Sequence, residues 1–325
     1  MTALYPWLEA LHLSLADQLR QDRMPHALLF SGNPGLGKLA LAQQLAGTLL
    51  CNARLPDGQA CGKCPACAQL AAGSNPDFLY LTLEEDATAI KVDQVRALAG
   101  ALSMCAHGQG FKVAIIAPAD LMNTNAANSL LKTLEEPSDN TVLVLVSDRP
   151  SRLPATIRSR CQQVRFNTPD PKLAMEWLSG HLADAQQARI CLELAAGAPL
   201  AALELAADGV VEARRERLGQ LVDILEGRAT ALDVAQSWSK DEGLQAIRWM
   251  RDWLMDMLRI RMTGQRQEIR NIDLADALDG LARKLDKRVM FEQVDRINRV
   301  LVAGAGSLNR QLMTEDILLA WAAGQ

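Results

Sequence analysis

Gly32, Gly35, Gly37 and Lys38 stand in the stretch SGNPGLGKLA (31–40), directly after the apolar run Ala27–Phe30. A glycine, four residues, a second glycine, a lysine and then a hydroxyl residue is the pattern of a phosphate-binding loop. In such a loop, backbone N–H groups at a helix N-terminus face the phosphates. The lysine reaches the β and γ oxygens, and the hydroxyl holds magnesium. Leu39 takes the hydroxyl's place here, setting apolar bulk where a hydrated ion would sit. The second metal contact, an acid at the tip of a neighbouring buried strand, is missing as well, because Val113–Ala117 runs straight into Pro118. Asp120 lies further on and reads as a capping or turning residue in preference to a shifted metal ligand. Transfer of a γ-phosphoryl group depends on the metal and an oriented water. Magnesium and hydrolysis by this chain are therefore not expected. Weak nucleotide binding through the glycines and Lys38 stays open, and the loop reads as structural or vestigial.

Cys61, Cys64 and Cys67 follow at two-residue spacings in CGKCPAC, ten positions after Cys51. Four thiolates complete a closed tetrahedral zinc site, and a site with no open coordination position is structural. The intervening NARLPDGQA, with its proline and glycine, lets the chain fold back from a helix end at Cys51. An iron–sulfur cluster also uses closely spaced cysteines, but nothing else in the sequence suggests electron transfer. Cys105 and Cys191 have no such spacing and read as small buried apolar residues.

The third group is Ser159, Arg160 and Cys161, in TIRSRC (156–161). An arginine at a helix end is ordinarily a dipole or salt-bridge partner. On a nucleotide scaffold without metal ligands, its permanent forked charge can instead serve the nucleotide of a neighbouring chain. An arginine delivered in trans to developing phosphoryl charge is worth about 10³–10⁵ in rate.

The elements that must hold these residues are legible as alternation. ALLFS (27–31), FLYLTLE (78–84), FKVAIIA (111–117), TVLVLVS (141–147) and QVRF (163–166) read as strands. Helical stretches at about 38–50, 92–102, 125–136 and 153–160 separate them. Consecutively apolar strands between helices predict a parallel sheet covered on both faces, an α/β nucleotide-binding fold. After NTPDP (167–171) the strand signals stop. The chain then reads as helical to its end, with a break at 197–199. In the segment 243–262, Ile247, Met250, Leu254 and Met257 form one apolar stripe, and Trp249, Trp253 and Ile260 a second. A helix apolar over so much of its surface belongs inside a bundle.

Composition agrees. The 325 residues are 49% apolar but 4% aromatic, so Leu, Ala, Val and Ile must fill the cores. A net charge of −4 argues against autonomous nucleic-acid binding by phosphate neutralisation. The N-terminal stretch carries acids and lacks a basic region before an apolar core, so it is not read as a signal peptide. No apolar run reaches a membrane-spanning length. An odd cysteine count of seven points to metal or thiol chemistry in preference to disulfides. A cytoplasmic location is expected.

Together the pieces YPWL (5–8), HALLFSGNPGLGK (26–38), CGKCPAC with Cys51, NAANSLLKTLEEP (125–137), SRC (159–161) and SLNRQLMTEDILL (307–319) resemble one family nearly end to end. It is the delta-prime family of bacterial DNA polymerase III clamp-loader subunits, within the AAA+ class. The cysteine set and LLKTLEEP are shared with the ATP-hydrolysing motor subunits of that complex. The departures separate the two: Leu39 for Thr or Ser, Ala117–Pro118 for Asp-Glu, and Leu200 for a sensing arginine.

The resemblance implies an AAA+-like domain over 1–167 with a zinc module at 51–67, a small helical lid over 168–207 and a helical collar over 208–325. It implies a non-hydrolysing stator in a five-membered ring with the motor subunits and the delta subunit. That ring acts on the sliding clamp and primed DNA as part of the DNA-directed DNA polymerase holoenzyme, a nucleotidyltransferase complex. Arg160, flanked by Ser159 and Cys161, would enter the ATP site of the adjacent motor. Ser147 matches a first sensor position with little to sense. Two other readings remain at this point: a clamp-loader-type ATPase motor with an atypical phosphate loop, and a zinc-containing DNA-binding module.

Overall fold

The computed structural model describes residues 4–55, 58–85, 87–104, 110–240, 243–266, 269–303 and 309–324. Cys105 lies outside them. The chain divides into two compact units, Met1–Ala174 with Ala198–Ala201, and Met175–Gly197 with Ala202–Gln325.

The first unit is built on five strands: β1 (Ala27–Ser31), β2 (Phe78–Leu81), β3 (Lys112–Ile116), β4 (Thr141–Ser147) and β5 (Gln162–Arg165). They run parallel in the order β2-β3-β4-β1-β5. Every residue of β1, β3 and β4 is buried, whereas the edge strands β2 and β5 are partly exposed. Unbroken apolar runs are what central strands with both faces covered require.

The accompanying helices are α1 (Glu9–Arg20), α2 (Lys38–Leu50), α3 (Pro65–Ala71), α4 (Val92–Leu102), α5 (Thr124–Glu135) and the short α6 (Ala155–Arg158). One core joins Leu29, Ala114, Ile116, Leu143 and Leu145 of the sheet to Val95, Leu98, Ala126, Ala127, Leu130, Leu134 and Ile157 of α4, α5 and α6. Because β1 lies between β4 and β5, Ser31 sits level with Ser147 on one side and Arg165 on the other. The loop after β1 therefore opens at the carboxyl end of the sheet, beside β4, where the chain leaves β1 toward one edge and β4 toward the other, the place at which ligand crevices of such sheets form.

Lys112, at the start of β3, is 4% exposed. Its ammonium donates to the carbonyls of Ala101 (2.8 Å) and Met104 (3.0 Å), closing the C-terminal end of α4. Hydrogen bonds from a charged donor contribute about 1.5–3 kcal/mol. Lys112→Met is expected to destabilise the first unit by roughly that amount, read as a lower denaturant midpoint at unchanged slope.

The remaining helices are α7 (Pro171–Ser179), α8 (Ala185–Leu194), α9 (Pro199–Ala207), α10 (Val210–Leu225), α11 (Ala231–Lys240), α12 (Gly243–Thr263), α13 (Ala275–Lys284), α14 (Lys287–Ala303) and α15 (Arg310–Ala322). Helices α10 to α15 share a core around Trp238, Trp253 and Trp321. On α12 the stripe Ile247, Met250, Leu254, Met257 is buried, as are Trp253 and Ile260, while Trp249 packs half-buried against the same core. Arg214 is fully enclosed and pairs with Asp273 at 3.3 Å. Among the described residues no single helix is long and apolar enough to cross a membrane.

Candidate functional site

The loop after β1 is held by protein on each side. Gly35 and Gly37 have φ of +76° and +85°, the left-handed region where glycine is not penalised. A Cβ on Gly32 would lie 2.4 Å from the Phe166 carbonyl oxygen. One on Gly35 would lie 2.4 Å from the Ala201 backbone nitrogen, and one on Gly37 2.9 Å from the Tyr5 ring. The Leu200 N–H donates to the Gly35 carbonyl at 3.1 Å. The backbone of Leu200 thus packs against the loop. Packing on protein requires these glycines without reference to any phosphate.

Lys38 opens α2 and is 3% exposed. Its ammonium donates to the Gly32 carbonyl at 2.9 Å and to that of Asn33, and it pairs with the Asp148 carboxylate at 2.7 Å. Asp148 follows the last residue of β4, so the β1–β4 register brings it to the loop. The lysine's charge is met by a carboxylate of its own chain, in the role a phosphate oxygen has in a loaded loop. Beside it, Asp120 accepts from the Ser147 hydroxyl (2.8 Å) and the Asp148 N–H (3.1 Å). Asp120 thus ties down the tip of β4, and the Ser147 hydroxyl is engaged within the chain.

The four spaced cysteines come together. Cys51 caps the end of α2, Cys64 is the N-cap of α3 and Cys67 lies in its first turn. The Sγ atoms of Cys51, Cys61, Cys64 and Cys67 all lie within 4.8 Å of one another, with Cys51 and Cys64 at 3.9 Å. A tetrahedron with zinc–sulfur bonds of about 2.3 Å has edges of about 3.8 Å, so the group fits zinc. The N–H of Cys61 donates to the Cys51 sulfur, and that of Cys64 to the Cys61 sulfur, each at 3.3 Å. Burial opposes the thiolate of Cys64, but the N–H groups of Cys67 and Asn52 bring its pKa down to about 6. Burial and the hydrogen bond with Cys64 push Cys67 up to about 12. Four sulfur donors gathered this closely are the set that a soft divalent ion selects.

The SRC segment splits by function. Cys161 is 8% exposed in the sheet core, and burial raises its thiol to about 11, so it is an anchor. The Ser159 hydroxyl donates to the Thr156 carbonyl at 3.2 Å and closes α6. Arg160 points off the core with its side chain 36% exposed. It donates to the Thr156 carbonyl (3.0 Å) and pairs with Glu135 of α5 at 2.5 Å. Its partners are thus in α5 and α6 and not in the phosphate loop. Cys191 is fully buried in the second unit, as a small apolar residue would be. Sequence spacing does not mark Asp148 or Glu135 as partners of these cations. The only signal for either was Glu135's place in LLKTLEEP.

Fold and site define an α/β subunit with a parallel five-stranded sheet, a glycine-rich loop whose lysine is paired within the chain, and a four-cysteine cluster that could hold a metal ion, set into the first unit. The family model described as DNA polymerase III, delta subunit matches residues 8–170, and the model of its C-terminal part matches residues 209–323. DNA polymerase III subunit delta' of Pseudomonas aeruginosa is 38% identical over 326 residues, covering 99% of this chain and 98% of that one. The Escherichia coli K12 delta' subunit is 34% identical, covering 97% and 94%. The E. coli tau subunit is 34% identical over 157 residues, 48% of this chain and 24% of that one. The chain belongs to the delta' subunit family of DNA polymerase III.

Proposed function

We propose that this chain is a non-hydrolysing stator of the DNA polymerase III clamp-loader complex. In this role it supplies Arg160 in trans to ATP bound by a neighbouring motor subunit. The observation that carries the reading is a contrast within one domain. Lys38 is sealed inside its own loop by Asp148 and loop carbonyls, while Arg160 stands at the surface on a segment anchored by Ile157 and Cys161. A site that cannot seat metal beside Leu39 has no use for a transition-state cation of its own. A neighbour's site does.

In this reading residues 1–167 form the AAA+-like domain, with zinc held structurally by Cys51, Cys61, Cys64 and Cys67. Residues 168–207 form the lid, and 208–325 the collar that closes a ring with the motor subunits and the delta subunit. The likeness of 48% of the chain to a tau subunit supports related subunits as ring neighbours. The sliding clamp and primer–template DNA are met through the complex, in the cytoplasm.

The isolated chain tests the non-hydrolysing half of the reading. With magnesium and ATP it is expected to show turnover no higher than a protein-free control, and Lys38→Ala is expected to change nothing. Turnover abolished by Lys38→Ala would favour a motor with an atypical loop.

A further inference from the structure

Glu135 ends α5, the helix that carries LLKTLEE. Ala126, Ala127, Leu130 and Leu134 fix that helix on the core, each 3% exposed or less. Their spacing sets its rotation and turns Glu135 outward, half-exposed, toward Arg160. An acid in the last turn sits at the unfavourable end of the helix dipole, and Glu136 follows it there. Exposed ion pairs contribute little to stability. Neither local helix preference nor stability explains this placement, and a residue that breaks a local rule is expected where function compensates.

The compensation is visible at Arg160. Its backbone is fixed by Ile157 three residues before and Cys161 one residue after, both in the same core as α5. Its guanidinium is then held at two points, the Thr156 carbonyl through Nη1 and the Glu135 carboxylate through Nη2. A long arginine side chain carries considerable rotamer entropy. Holding it before the neighbour docks means that less freedom is lost when phosphoryl charge develops. We propose that Glu135 is a positioning residue for Arg160, holding the guanidinium in one place at the surface for the neighbour's nucleotide. This inference rests on the trans role proposed above.

The test is a double-mutant cycle in the reconstituted clamp loader, using the full chain as wild type, Glu135→Gln, Arg160→Ala and both together. Glu135→Gln is expected to lower the kcat of DNA- and clamp-stimulated ATP turnover about three- to tenfold. The KM for ATP and assembly of the complex should stay unchanged. In the Arg160→Ala background it is expected to cost nothing more, because its effect passes through that side chain. A loss that persists undiminished in that background would make Glu135 merely structural and overturn the inference. So would full turnover by Glu135→Gln beside a large loss in Arg160→Ala. Full turnover by Arg160→Ala would remove the trans role itself and this inference with it.

Discussion

In a reconstituted complex, Arg160→Ala is expected to lower DNA- and clamp-stimulated ATP turnover at least tenfold, the full contribution of a trans-acting arginine being about 10³–10⁵ in rate. The effect is expected in kcat, because in the proposed role the guanidinium would meet charge that is fully developed only in the transition state. Arg160→Lys should recover a small part of the loss, since an ammonium keeps the charge but not the fork. The folded chain should be nearly indifferent to either change. The pair with Glu135 is half-exposed, with side chains 36% and 51% accessible, and exposed pairs are worth about 0–1 kcal/mol. Unchanged thermal unfolding beside a large kinetic loss would separate the role in trans from one in folding.

The second large effect concerns the metal. The protein is expected to carry one zinc per chain, measured by release to a chromogenic chelator after denaturation. Stripping it, or replacing Cys64 by serine, should unfold residues 51–71 locally. Apparent binding energies of structural zinc in small peptides are about 10–16 kcal/mol at neutral pH, far above what this segment could recover by other means. Its own apolar cluster consists of Ala60 and the cysteines themselves. Hydrogen exchange should show lost protection from Cys51 through Ala71, with β1, β3 and β4 still protected. Zinc-free protein with full protection in that segment would mean that the cysteines serve another purpose.

What could be read in the sequence was whatever depends on neighbours along the chain. TVLVLVS became β4 residue for residue, because a strand buried on both faces shows itself as an uninterrupted apolar run. The cysteine site was legible for the same reason, with three of its ligands within seven residues. The stretch 153–160 read as a helix twice the length of α6. Pro154 delays its start, and the chain must turn after Arg158 so that Cys161 can enter the core ahead of β5.

The partners of the two decisive cations could not be read at all. Asp148 is 110 positions from Lys38 and Glu135 is 25 from Arg160. Strand register brings the first pair together, and the packing of α5 beside α6 the second. Gly32, Gly35 and Gly37 fit a phosphate pattern, yet each is also required by contact with Phe166, Ala201 or Tyr5. A motif match could not distinguish those two causes.

The most direct measurement uses complexes in which a single motor subunit keeps its phosphate-loop lysine, so that turnover reports one ATP site at a time. With the intact motor placed beside this chain's Arg160 face, Arg160→Ala should abolish most of the turnover. With the intact motor elsewhere in the ring, it should change little. Equal loss at every site, or no loss at the adjacent one, would contradict the assignment of Arg160 to its neighbour's ATP.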